Sequence, residues 1–265
     1  MSMSVAAQRP LSAEQQAELA DRLGRWRRQP LSPEELAELL PRITDPDLAL
    51  AVGERLGMAG PGAISCILPL CNQESVDAAL IRALGICHHP EARDQLLRWL
   101  PDAGPQRAAV LEALSCWGNQ IDPAIIAAAL QAPGRAERLA GLKLLTFRSR
   151  SLSAKELLNL CEPLLDDLRA DVVIATLRLL QRRQEADVLA AIQRCISTDA
   201  LPGVAETALQ ALGCISTTAS CARLISELAR WQKTPLEAAV RRQLQAQVRH
   251  RRWIEQELQP LGLAL

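Results

Sequence analysis

Residues 78–85 read Ala78-Ala-Leu-Ile-Arg-Ala-Leu-Gly85, and this stretch decides the fold. Altered copies of it return at Val52–Gly57, Val110–Leu114, Gly141–Leu145, Thr176–Leu180 and Ala208–Gly213. Aligned on their closing leucines, Leu56, Leu84, Leu114, Leu145, Leu180 and Leu212, the copies stand 28, 30, 31, 35 and 32 residues apart. A recurrence of this size marks stacked helical units, each of which buries its apolar face only against its neighbours.

Composition agrees with this. The chain has 265 residues, 49% of them hydrophobic but only 2% aromatic, with no Tyr and one Phe, Phe147. The apolar mass is Ala and Leu, which favours helix; a sandwich or barrel would carry more β-branched and aromatic residues. Thirty Lys and Arg balance thirty Asp and Glu, so generic nucleic-acid binding by excess positive charge has no support. Met1–Gln8 has no apolar core of a signal peptide, and charged or amide residues interrupt every Leu-rich run before it reaches membrane-spanning length. A soluble cytoplasmic protein is expected. Eight cysteines are scattered across the repeats, mostly at apolar helix positions, which reads as reduced, buried thiols rather than a disulfide framework.

Outward from the repeat, residues 1–10 are expected to be disordered. Ser12-Ala-Glu-Gln15 and Ser32-Pro-Glu-Glu35 are capping boxes that open two helices, the first reaching about Gln29 and the second carrying Leu36, Leu39, Leu40 and Ile43 to a break at Asp45-Pro-Asp47. Residues 1–45 thus form N-terminal capping helices. Residues 46–232 form the array, each unit a helix A, a short polar or Pro/Gly break such as Asn72–Ser75, and a helix B that holds the motif. The A helices are expected at about Ile64–Cys71, Glu91–Leu100, Pro123–Gln131, Ala154–Leu165, Asp187–Ile196 and Ala219–Trp231, the fourth opened by another capping box at Ser153-Ala-Lys-Glu156. Residues 233–265 form a C-terminal cap, one long helix from Thr234 to about Leu258 with Val240, Leu244, Val248 and Ile254 along one side. The whole reads as one continuous domain.

Helical pairs of about 30 residues with a closing Leu-Gly, best seen in Ala78–Gly85 and Ala205–Gly213, resemble HEAT repeats, and most nearly the short bacterial kind of phycobilin lyases. The likeness covers roughly residues 46–232. It implies an all-α, right-handed α-solenoid of about six helix pairs with helical caps at both ends, whose B helices line the concave surface. Typical copies carry an Asp in the inter-helix turn and Val-Arg at the start of helix B; Asp171-Val-Val173 keeps the Asp and Val but not the Arg. The lyase branch also tends to aromatic-rich helix starts, which this Tyr-free chain lacks.

On helix B the residue two before a core Leu points about 200° away, towards solvent. Those positions read Glu54, Arg82, Glu112, Lys143, Arg178 and Gln210. In a HEAT-like register they form a column that docks a helix or extended segment of a partner protein through charge pairing. The alternative is that every amphipathic helix has a polar face and the column is merely solvated.

Other chemistry finds less support. Cys87-His88-His89, with Cys66 and Cys71 nearby in sequence, is the one local cluster of metal-ligand types, but adjacent ligands chelate one ion poorly. The same residues read as a helix C-terminus closed by Pro90, so no metal is expected. Three His and no Gly-rich loop argue against nucleophilic catalysis or a phosphate cradle. Arg22, Arg25, Arg27 and Arg28 surround Trp26, and Arg241, Arg242, Arg249, Arg251 and Arg252 precede Trp253; these clusters read either as base-stacking surfaces or as Arg stems lying along capping helices. Trp99, Trp117 and Trp231 read as core filler at repeat junctions. The first functional reading is therefore a non-catalytic adaptor, scaffold or assembly factor that needs no cofactor. The second, carried by the resemblance alone, is a subunit of a bilin lyase or bilin chaperone that handles a linear tetrapyrrole on phycobiliproteins. The third is a nucleic-acid-binding HEAT-like protein.

Overall fold

The computed structural model of the chain describes residues 9–28, 30–72 and 76–265. The described residues are helical, with no strand among them, and fall into two compact units, one up to Ile121 and one from Asp122. Of residues 1–10, expected to be disordered, residues 1–8 lie outside the described residues, as does most of the break at Asn72–Ser75, while the Arg9 carbonyl accepts from Arg42 Nε at 3.2 Å. The first helix, expected to reach about Gln29, ends at Gly24.

The first unit holds α1 (Ala13–Gly24), α2 (Pro33–Leu39), α3 (Pro46–Met58), α4 (Ile64–Ile67), α5 (Ala78–Cys87), α6 (Pro90–Trp99) and α7 (Arg107–Ala113). Helices α3, α5 and α7 pack side by side in one layer; α2, α4 and α6, each continued by a 3₁₀ turn, back them in a second. The second unit holds α8 (Pro123–Gln131), α9 (Arg135–Arg148), α10 (Ala154–Cys161), α11 (Ala170–Leu180), α12 (Ala186–Arg194), α13 (Val204–Ile215), α14 (Thr218–Arg230), α15 (Pro235–Gln245) and α16 (Arg251–Leu258). Here α9, α11, α13 and α15 form the motif-bearing layer, and α8, α10, α12, α14 and α16 the other. Each unit is thus a two-layer stack of helix pairs. All six closing leucines have 0% exposure, and burying each contributes about 2 kcal/mol.

Local chemistry sets the helix starts. The three sequence-read capping boxes at Ser12, Ser32 and Ser153 form, and Thr217 with Ser220 adds a fourth. The helix before Asp45-Pro-Asp47 stops at Arg42, and the break at Ile43–Asp45 then opens the next helix: the Asp45 carboxylate accepts from the Asp47 and Leu48 amides and Pro46 is the first residue of α3. Proline is at ease there because the N1 amide would lack an intrahelical acceptor anyway.

The motif glycines act inside their helices, not after them. A Cβ on Gly57 would stand 2.6 Å from the Ala83 carbonyl oxygen, and one on Gly53 would strike the Ala79 carbonyl. Gly53 and Gly57 therefore let α3 lie with its backbone directly against Ala79 and Ala83 of α5.

The single C-terminal helix expected from Thr234 to Leu258 is two helices, α15 and α16, separated at Gln247. The buried Gln247 side chain donates through Nε2 to the Gly213 carbonyl at 3.0 Å and accepts from Ser216 Oγ at 2.7 Å. It satisfies the carbonyl end of α13, and the chain turns there so that α16 packs on α14. Val248 consequently leaves the apolar side and is 79% exposed, while Val240, Leu244 and Ile254 are buried.

In the second unit the turn before α11 is pinned by a buried ion cluster. Asp167 accepts from the Arg169 amide at 2.9 Å, from Arg169 Nε at 2.8 Å and Nη2 at 2.9 Å, and from Arg138 of α9. Arg138 and Arg169 also donate to the carbonyls of Ala132 and Pro133. These contacts join the α8–α9 loop to the α10–α11 turn. The paired guanidiniums hold the Asp167 carboxyl far below the usual carboxylate range. Next to it, Leu168 is 92% exposed.

Candidate functional site

The six column positions all lie on the solvent side of motif helices. Glu54 is half-exposed on α3, while Arg82 on α5, Lys143 on α9, Arg178 on α11 and Gln210 on α13 are exposed, as is Glu112 on α7. Each is followed two residues later by a fully buried leucine, so the 200° rotation puts it outside. The close approach of α3 to α5 through Gly53 and Gly57 brings the first two together: Arg82 Nη2 donates to Glu54 Oε2 at 3.1 Å. With both side chains about half exposed, this pair contributes at most about 1 kcal/mol. It fixes side-chain direction more than it stabilises the fold.

Between these charges the surface is apolar. In the first unit Arg82 and Glu112 line a cleft of about 370 Å³ whose other walls include Leu50, Ile81, Ile86, Ala109 and Cys116. Leu50 is 39% exposed and Cys116 is exposed. In the second unit the same helix side carries Leu139 and Ile174, both half-buried, and Phe147, which is 51% exposed. Helical geometry explains the grouping: Leu50 stands four before Glu54, Ile86 four after Arg82, Cys116 four after Glu112, and Leu139 and Phe147 flank Lys143 at the same spacing. That spacing was the readable signal for the apolar residues which the column of charges left out.

The cysteines divide by environment. Cys71, Cys87, Cys161 and Cys221 are buried and Cys66 and Cys195 half-buried, while Cys116 and Cys214 are exposed, which departs from the expectation of buried thiols at those two positions. Both exposed thiols follow a core position by two residues and so face away from the core. Burial pushes the Cys71 and Cys161 thiols up to about 12 and the Cys195 thiol to about 11.

The Cys87-His88-His89 triplet serves three separate ends. Cys87 is buried and its Sγ donates to the Gly60 carbonyl at 3.3 Å. His88 closes α5 in the left-handed conformation, with φ of 53°, and stacks on buried Trp117 with ring centroids 5.0 Å apart. His89 caps α6, its Nδ1 accepting from the Glu91 amide. Among the described residues no group of three His, Cys, Asp or Glu side chains is arranged to hold a metal ion. Trp231 is half-buried with its indole N–H on the buried Glu227 carboxylate at 2.7 Å, and Trp99 is also half-buried. The terminal Arg clusters are partly neutralised: Arg25 pairs with Asp21, Arg241 with Glu237 and Arg251 with Glu255. No helix of the described residues is long and apolar enough to cross a membrane.

Comparison of the chain with protein-family models, with curated proteins and with solved structures yields no match.

Proposed function

We propose that this chain is a non-catalytic, HEAT-like adaptor that docks amphipathic segments of a partner protein along the exposed side of the motif helices of each unit. The observation that carries this reading is the apolar surface between the charges. A merely solvated helix face has polar neighbours at i±4. Here Leu50, Ile86, Cys116 and Phe147 occupy those positions and remain partly or largely in water. Apolar groups ringed by charge mark interaction surfaces, and a helix laid in such a groove is read through anchors at helical spacing. Glu54, Arg82 and Glu112 in the first unit, and Lys143, Arg178 and Gln210 in the second, then each set register and partner choice, while the apolar side chains supply most of the affinity.

The test is capture of partners from lysate of the native host by the full chain and by a Leu50→Asp, Ile86→Asp, Phe147→Asp variant with unchanged circular dichroism. The variant is expected to lose the partner, and Arg82→Glu to weaken it. Retention of the same proteins by the triple variant would refute the reading. A visible absorption band appearing when the chain is mixed with a bilin would redirect it to tetrapyrrole handling.

A further inference from the structure

A second concavity lies in the first unit, away from the cleft of Arg82 and Glu112. Leu23 of α1, Leu31, Leu36 of α2 and Met58 of α3 wall an apolar pocket of about 110 Å³. Trp26 completes it and is 37% exposed; Met58 is 51% exposed. Arg22 and Arg55 line the same pocket, and the Arg55 guanidinium carbon sits 4.7 Å from the centre of the Trp26 ring. The ring face holds that cation by attraction to its π cloud. Among the described residues neither Arg22 nor Arg55 has a carboxylate within ion-pair distance, whereas the adjacent Arg25 is paired with Asp21.

Two things are thus left unsatisfied at one place: apolar surface facing water, and two guanidiniums without an anion. A ligand with an apolar body and one anionic head satisfies both at once. Size narrows the body. An apolar cavity of roughly 150 Å³ accepts a benzene ring, so about 110 Å³ suits a branched group of leucine side-chain size. Since the chain as a whole carries no net charge, recognition of the anion falls to these two local cations and not to a general positive field.

We infer that this pocket binds a small hydrophobic carboxylate, its branched aliphatic end among Leu23, Leu31, Leu36 and Met58 and its carboxylate accepting from Arg22 and Arg55. The inference stands independently of the adaptor reading.

The test uses the full chain labelled with ¹³C at the methionine methyls. There are three methionines, Met1, Met3 and Met58, and loss of a peak in Met58→Leu assigns the one in the pocket. Titration with 4-methylpentanoate is expected to shift the Met58 methyl saturably, with Kd on the order of 1 mM. The neutral isostere 4-methylpentanamide is expected to bind about tenfold or more weakly. Arg22→Gln and Arg55→Gln should each bring the carboxylate down towards the amide while leaving amide binding unchanged, with the rest of the methyl spectrum intact. A short peptide ending in a free leucine carboxylate separates the sources: if it binds more tightly than 4-methylpentanoate, the natural ligand is a polypeptide C-terminus, and if more weakly, a free small acid. Equal affinity for acid and amide, or no saturable shift at tenfold the expected Kd, would overturn the assignment.

Discussion

Removing Asp167 should destabilise the second unit far more than removing any surface carboxylate. The Asp167 side chain is 2% exposed, and its partners Arg138 and Arg169 are 24% and 30% exposed. Losing one partner of a fully buried pair costs about 3–5 kcal/mol, because a charge is left stranded. Here both guanidiniums keep some water and a carbonyl acceptor each, which lowers the figure. The Arg169 amide also loses its acceptor, adding back about 1 kcal/mol. Asp167→Ala should therefore cost about 3 kcal/mol, a fall of about 9 °C in Tm for a unit of this size. The control is Asp171→Ala. Asp171 pairs with Arg135, with side chains 37% and 61% exposed, and the loss should stay under about 1 kcal/mol. The pH dependence follows from the direction of the shift. Folding lowers the Asp167 pKa, so its contribution is complete above the unfolded value of about 3.9 and is lost as pH falls from there towards the lower folded value. Urea denaturation at pH 7 and pH 3, with hydrogen exchange of α9 and α11 as the local probe, reads both effects. Equal costs for Asp167→Ala and Asp171→Ala, or a native–variant gap that does not narrow at pH 3, would refute the reasoning.

Gly57→Ala pits about 1 kcal/mol of helix propensity gained against roughly 1–3 kcal/mol of overpacking. The contact is the Ala83 backbone carbonyl, which no rotamer change can move. A net loss of about 1 kcal/mol is expected in a urea melt, and a gain would show that α3 and α5 separate freely. Thiol labelling at pH 8 should modify Cys116 and Cys214 quickly. Cys195, pushed to about 11, keeps only about one thiolate in a thousand at that pH, and Cys71 and Cys161 fewer; mass spectrometry of the labelled peptides ranks them. Gln247→Ala leaves the Gly213 carbonyl and Ser216 hydroxyl without their buried partner and should cost about 2 kcal/mol. Faster amide exchange in α16 is the signature, and unchanged protection would mean that Gln247 does not hold the break.

The departures from the sequence reading share a cause. A capping box or an N1 proline is local chemistry within four residues, so Ser12, Ser32 and Ser153 were legible at once. So were the six closing leucines, because helical spacing alone sends them inward. Gln247 looked like one more polar residue in a charged helix. Its partners, Gly213 and Ser216, are more than thirty residues away, and only packing brings them within bonding distance. Asp167 behaved alike: the sequence showed a longer interval before Leu180, and the structure shows that the extra turn is locked by Arg138 from α9.

The candidate site divides the same way. Which residues point outward from each motif helix follows from the 100° step per residue, and sequence alone was enough for Glu54, Arg82, Glu112, Lys143, Arg178 and Gln210. Which neighbours stay in water did not follow from it. Leu50 and Phe147 are as hydrophobic as any core residue, and they stay exposed because no helix among the described residues packs over them. Periodicity is a property of one helix and survives in the sequence; exposure is a property of what the other helices fail to cover, and tertiary structure alone decides it.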